Sequence, residues 1–384
     1  MLFKLFLTLT VGAYAFDTPA RSAFLIDPAS GTVIINKAGD ELMPPSSMLK
    51  LMTNLMGFDA VRDGRLNLYQ RLPVGYNADH RRAVWQPASI VCLEEGTDIS
   101  VRDILIGLIV QSGGDAGVVL AEHLYGSEAE MARRMTIRAR QIGMPNSTFG
   151  NVSGLFHPDN LMTSRELATL AIYIYNEHPE FYPMFATRTW ILEDDVNAWC
   201  AERRRLRQHG FGRFLQQMPG SEMRRTGRTT EGGFGMVATA RRDGRLLIGV
   251  INGLDVRNHD VLATEAQRLL EYGFNNTVNR TFLTAGTELV RIPVWYGRRT
   301  TIGATIENDF IVTIPRRNQN GIQIIARYNT PVIAPVRVGD IVGEVIAMQG
   351  GVVIARANLI ASERTGRTRF IMRIWQNIRL IIGV

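Results

Sequence analysis

The chain has 384 residues, 46% of them hydrophobic, and a formal charge of +7 at neutral pH. That length exceeds one typical domain and can bury at least one sizeable core, so two domains are expected, and the composition is that of an ordinary globular protein. The positive charge comes without a helix-turn-helix, finger or RNP-like pattern, so nucleic acid is excluded as a partner and an anionic membrane surface or a wall polymer is favoured. Six scattered His and two distant Cys, Cys92 and Cys200, show no ligand spacing, so no metal and no other cofactor is expected.

Residues 1–15 hold Lys4, an apolar run from Leu5 to Val11, and Ala13-Tyr14-Ala15, the form of a cleaved secretory signal. Export permits a Cys92–Cys200 disulfide without establishing one. Ala23 to Asp27 and Thr32 to Asn36 read as strands of a hairpin around Pro28-Ala29-Ser30-Gly31. After Pro44-Pro45, the residues Met48, Leu49, Leu51, Met52, Leu55 and Met56 recur at helical spacing, with Ser46 or Ser47 at the N-terminal end. Further helices are expected at Val101 to Val110, Ala116 to Tyr125, Glu128 to Ile142 and Ser164 to Asn176. Strands return at Phe234 to Arg241 and Leu246 to Asn252, joined through Arg242-Asp243-Gly244, and Leu262 to Phe274 is again helical. The sum is an α/β domain with an inserted helical region. From Glu288 to Ala361, short Val/Ile/Thr-rich runs split by Gly, Pro and Asn predict a small β-rich domain. Arg369 to Val384 sets apolar residues and Trp375 among arginines, the pattern of an amphipathic helix lying in a membrane surface; packing on the β-domain or on a partner helix is the alternative.

Ser47-Met48-Leu49-Lys50 carries the sharpest chemistry. Spacing of three puts a hydroxyl and an amine on one helix face, where the amine can take the Ser proton during attack on a carbonyl, and a helix N-terminus favours developing negative charge nearby. Alone, Ser-x-x-Lys is common by chance. Yet the chain has only three lysines, Lys4, Lys37 and Lys50, and retains one where a guanidinium would fail as a base.

The run from Ala23 to Met52, including Pro44-Pro45-Ser46-Ser47-Met48-Leu49-Lys50, resembles the start of the low-molecular-weight penicillin-binding proteins of the serine D-alanyl-D-alanine carboxypeptidase type. The resemblance continues through Gln111-Ser112-Gly113-Gly114-Asp115-Ala116, Asn151-Val152-Ser153-Gly154-Leu155, Pro179-Glu180-Phe181-Tyr182 and Arg225-Thr226-Gly227-Arg228-Thr229, and into the β-domain and terminal helix. It implies a penicillin-binding protein/β-lactamase-like fold, an antiparallel sheet with helices and a helical insert, over residues 16–278. A β-rich domain at 279–366 and an amphipathic anchor at 367–384 would follow. The implied activity is removal of the terminal D-Ala from peptidoglycan pentapeptides on the periplasmic side of a bacterial inner membrane, with β-lactams acylating the same serine.

By that resemblance Ser47 is the nucleophile, Lys50 its base, and Ser112 a proton relay to the leaving D-Ala. Thr226 and Gly227 edge the cleft, Thr226 helping to hold the substrate carboxylate, and the backbone N–H groups of Ser47 and Thr229 form the oxyanion hole. Two departures stand out. Gly114 occupies the place of an Asn that contacts the substrate backbone and the Lys, and Arg225 replaces a Lys, retaining positive charge for the substrate carboxylate. Arg228 replaces a frequent His and is a second carboxylate ligand; Arg257 is a weaker one. A homologue that binds peptidoglycan without turnover, and a β-lactamase, are the alternative readings. His157 reads as a structural loop residue, Asp194-Asp195 as a solvated turn, and Arg203, Arg204, Arg205 and Arg207 as a surface face.

Overall fold

The computed structural model describes residues 16–85, 88–190, 192, 208–209, 213–230, 232–255, 259–328 and 330–369. The expected signal, the terminal helix, Asp194-Asp195, the 203–207 run, Cys200 and Arg257 lie outside them. The chain divides into two compact units, one made of Val33–Phe274 with the segment ending at Pro28, the other of the chain from Asn275 onward with Ala29–Thr32.

The first unit is built on a five-stranded sheet in the order β2-β1-β9-β8-β7: β1 is Ser22–Asp27, β2 Thr32–Lys37, β7 Ser221–Thr229, β8 Gly233–Arg242 and β9 Arg245–Leu254. The two-residue turn Asp243-Gly244 has both residues at positive φ, 51° and 79°, which joins β8 to β9 with the twist that an antiparallel hairpin requires. The sheet is covered on both faces. Phe24, Ile26, Val237, Ile248 and Val250 pack into the helical region, while Ala23, Leu25, Met236, Ala238, Leu247 and Ile251 pack against Leu262, Ala266, Leu269 and Phe274 of the helix His259–Asn276. Successive residues of one strand therefore enter different cores, and β1 is buried at all six positions.

Between β2 and β7 lies the helical insert: α1 (Lys50–Arg62), α2 (Val101–Val110), α3 (Gly114–Tyr125), α4 (Glu128–Gln141) and α5 (Ser164–Glu177). Their starts follow local chemistry. Ser100, Ser127 and Thr163 each accept a backbone N–H three residues on, from Asp103, Glu130 and Glu166. Two short antiparallel pairs, β3 (Arg71–Pro73) with β4 (Asp98–Ser100) and β5 (Thr189–Trp190) with β6 (Gln208–His209), complete it.

Helix α1 runs through the middle of the unit, buried without a break from Lys50 to Ala60. A helix apolar on all sides must be enclosed, and its polar members must be paired. Thr53 Oγ1 donates to Val152 O (2.8 Å) and Asn54 Nδ2 to Leu105 O (3.2 Å). Asp59 faces His178 Nε2 at 3.1 Å and accepts from Arg138 Nε at 2.8 Å; these two partners hold its carboxyl below the usual range against the opposing effect of burial.

The second unit is β-rich. A six-stranded sheet in the order Ile322–Tyr328, Ile341–Gln349, Val352–Ala361, Thr301–Thr305, Val290–Trp295, Val332–Ile333 accompanies a pair formed by Thr277–Leu283 and Phe310–Pro315, around a core of Ile292, Val294, Ile302, Val312, Ile314, Val345 and Leu359.

Candidate active site

Pro44 and Pro45 end the extended chain after Asp40, and Ser46 turns it at φ 49°, a left-handed value that non-glycine residues adopt only when held. What holds it is an exchange with β7. Ser46 Oγ donates to Arg228 O (2.7 Å) and accepts Arg228 N–H (3.0 Å). Both serines stand ahead of the α-helix, in a separate turn. Neither side chain caps, Ser46 being used across the sheet edge, and Ser46–Leu49 is a 3₁₀ turn that passes into α1 at Lys50. In 3₁₀ geometry residues three apart eclipse, which places Lys50 Nζ 2.7 Å from Ser47 Oγ.

Close approach of β7 to this turn requires glycine at 227, where a β-carbon would sit 2.6 Å from Pro45 O and 3.1 Å from Met48 N. Gly154 serves the opposite side. At φ 72° it lies over the backbone of Ser47, with a β-carbon position 2.9 Å from Ser47 Cα. Ser47 is thus clasped between the strand and the Asn151–Leu155 loop and remains half-buried.

Ser112 follows the end of α2. Its φ of 59° swings the chain away from the helix axis, and Gly113 N–H to Gly107 O (3.1 Å) and Gly114 N–H to Ser89 O (2.9 Å) secure the bend. The hydroxyl comes to 3.4 Å from Lys50 Nζ, so one amine faces two serines from different elements. Asp115, fully buried, accepts the N–H groups of Val91 (2.8 Å), Cys92 (2.8 Å), Leu93 (3.1 Å) and Ala116 (2.9 Å), locking segment 91–93 to the Ser112 loop. Burial raises its carboxyl above the usual range even so. Cys92, at φ 77°, is disulfide-bonded.

The structure corrects the role expected of Arg225 as a carboxylate ligand. Only 2% exposed, it turns inward: Nε donates to Ser47 O (2.7 Å), Nη1 to Leu108 O and to Ile109 O (3.4 Å), and Nη2 to Ser112 Oγ (3.0 Å). Burial, with Arg224 beside it, brings its guanidinium down to about 9, which still leaves it charged at neutral pH. Arg228 is exposed, its guanidinium 5.1 Å from the centre of the Phe234 ring; Thr226 is half-buried, and Thr229 closes the strand opposite Gly233.

Lys50 is 2% exposed. Burial first, and the Arg225 charge second, push its amine well below 10.5, against weaker opposition from Asp115 and Glu128. An amine so disposed to lose its proton, 2.7 Å from the Ser47 hydroxyl, stands where it can accept the hydroxyl's proton. His157, its ring close against Gly150 and its Nδ1 accepting Asp159 N–H (3.2 Å), lies in a loop. Among the described residues, no group of three or more His, Cys, Asp or Glu could hold a metal. Sequence reasoning missed Asp115 and Trp85, the latter buried against Gly114; the only signal was an acidic residue directly after the Ser-x-x motif.

A Ser-x-x-Lys pair under the edge of an antiparallel sheet, with a second serine facing the same amine, defines the class of penicillin-recognising serine enzymes. Residues 10–255 match the model of the D-alanyl-D-alanine carboxypeptidase family, and residues 279–367 that of the penicillin-binding protein 5 C-terminal domain. The chain belongs to the D-alanyl-D-alanine carboxypeptidase family and is a serine-type hydrolase of that specificity. It is 28% identical to the D-alanyl-D-alanine carboxypeptidase DacC of Escherichia coli over 97% of this chain and 90% of that protein, and 27% identical to DacA of Haemophilus influenzae over 94% and 89%. Among solved structures, penicillin-binding protein 5 from Haemophilus influenzae superposes with a TM-score of 0.84 at 26% identity, covering 93% of this chain and 100% of that one.

Proposed function

We propose that the enzyme removes the terminal D-Ala of peptidoglycan stem peptides through an ester on Ser47. Lys50 Nζ takes the hydroxyl proton as Ser47 Oγ attacks the carbonyl carbon of the penultimate D-Ala. The oxyanion is met by the backbone N–H groups of Ser47 and Thr229. As the C–N bond breaks, the departing D-Ala amine receives a proton through Ser112, and water then hydrolyses the ester. Arg228 and Thr226 face the substrate's carboxylate, while Arg225 orients Ser112 and, after burial, helps lower the Lys50 amine's hold on its proton. The observation that carries this reading is the shared amine, 2.7 Å from one serine and 3.4 Å from the other. β-Lactams, entering as mimics of the D-Ala-D-Ala terminus, acylate the same oxygen.

Ser47→Ala is expected to lose all covalent labelling by a fluorescent penicillin and all D-Ala release from a pentapeptide, while its thermal melting stays close to that of the parent. Labelling that persists in the variant rejects the nucleophile; a parent protein that labels but releases no D-Ala supports the non-turnover alternative.

The protein belongs to the cell envelope. We place it at the periplasmic face of the inner membrane, held by the basic, apolar residues 370–384. None of the described helices is long and apolar enough to cross a membrane. Deleting residues 370–384 should move the protein from the membrane pellet to the soluble fraction; retention in the pellet refutes this anchor.

A further inference from the structure

The two glycines after Ser112 are enclosed. A β-carbon on Gly113 would run into Val91 Cγ2, and one on Gly114 would lie 2.8 Å from Trp85 Cζ3 and 3.2 Å from Ser153 Cβ. Real β-carbons essentially never come within 3.0 Å of another heavy atom, so position 114 has no room for any side chain while the Trp85 ring stays where it is. The ring is held from behind. Trp85 Nε1 donates to Asn77 O (3.2 Å), Trp85 N–H to Arg82 O (3.1 Å), and Ala88 N–H to Trp85 O (2.8 Å). At 3% exposure Trp85 belongs to the same apolar cluster as Met48, Leu49, Val91 and Val152. It sits at one end of the segment that Asp115 clamps through residues 91–93 and that Ser89 joins to Gly114.

We propose that Trp85 is a positioning residue of the acyl-transfer site: its indole fills the space beside Ser153 that a side chain at 114 would take, so that Trp85 and Gly114 form a matched pair supporting the Ser112 loop. The proposal rests on the reading that Ser47, Lys50 and Ser112 carry the reaction. On this view Gly114 is the residue that Trp85 demands, and it marks no loss of function.

The pair bears on the Lys50 amine through water. The charged groups that act on this amine are Arg225 from β7, Asp115 from α3 and Glu128 from α4, and the largest influence on it is burial itself. Residue 114 presents no polar group toward it. An aromatic wall at this place keeps the Ser112 loop closed and dry; taking the wall away admits water and lets the amine hold its proton to higher pH.

The test is a double-mutant cycle on the full chain: parent, Gly114→Asn, Trp85→Ala and the double variant, each followed by fluorescent-penicillin acylation across pH and by kcat and KM for D-Ala release. Gly114→Asn alone should slow acylation about tenfold or more, because the new side chain meets the ring. In the Trp85→Ala background the same change should be neutral or should speed acylation. Trp85→Ala should lower kcat more than it raises KM and move the rising limb of the pH profile upward, a shift that simple loss of folded protein does not produce. If Trp85→Ala does not fold, Trp85→Phe takes its place, with Gly114→Ala as the partner change and the same reversal expected. Equal effects of the 114 substitution in both backgrounds, or full activity of Gly114→Asn with Trp85 present, overturn the pairing. Ser47→Ala, run alongside, separates the two levels: labelling of that variant overturns the site reading itself.

Discussion

Lys50→Met lowers the rate of acylation by about 10²–10⁴-fold, the usual worth of a positioned general base, while the protein stays folded. Lys50 opens α1 inside the core and is buried together with the ten residues that follow it. Met has nearly the same length and brings no polar atom, so the change removes the amine without opening a cavity. The pH dependence identifies the role. Burial and the Arg225 charge lower the amine's pKa, so the unprotonated form accumulates as pH rises through a value well below 10.5. Parent acylation therefore climbs with pH to a plateau reached well below 10.5, and Lys50→Met loses that limb. Stability follows the same linkage. Between the folded and unfolded pKa values the unfolded chain binds the additional proton, so Lys50 makes stability increase with pH across that window and decrease as pH falls through it. The variant should lack this slope and melt no lower than the parent at neutral pH. Acylation within threefold of the parent would remove Lys50 from the mechanism.

Most of the first unit was legible because its signals are local. Ser100, Ser127 and Thr163 announce helices through their own hydroxyls, and Asp243-Gly244 announces a hairpin through backbone conformations that few residues adopt. Ser47 and Lys50 were legible as a pair because three residues separate them on one turn. That the turn is 3₁₀ was not, since it depends on Ser46 being drawn across to Arg228, which stands 182 positions away. The inward course of Arg225 was hidden for the same reason. The family resemblance puts a cation on a cleft strand, and only the packing of β7 against the end of α2 supplies the carbonyls of Leu108 and Ile109 that take it in. Trp85 against Gly114 is a relation between residues distant in sequence, and read singly Gly114 suggested a deficit. In the second unit, alternation and turn residues foretold strands, but not their order, nor the parallel pairing of Val294 and Trp295 with Val332 and Ile333.

Arg225→Met should slow acylation about 10- to 100-fold, the equivalent of about 1.5–3 kcal/mol for losing hydrogen bonds made by a charged donor. The guanidinium ties three elements together: the carbonyl of Ser47, the last turn of α2 and the hydroxyl of Ser112. Its removal strands buried carbonyls and frees the Ser112 hydroxyl, so a lower melting temperature accompanies the slower reaction. Lower stability alone would not distinguish a scaffold from a participant; the pH profile does. The Arg225 charge opposes protonation of Lys50, second only to burial, so without it the amine keeps its proton to higher pH. The rising limb should move upward in Arg225→Met. Arg225→Lys retains the charge and a donor for Ser112 but cannot reach both Ser47 O and the α2 carbonyls from a single nitrogen. It should therefore leave the limb near its original position and recover part of the rate. An unmoved limb in Arg225→Met, or equal rates for the Met and Lys variants, would show that the charge does nothing for the base and that Arg225 only joins β7 to α2.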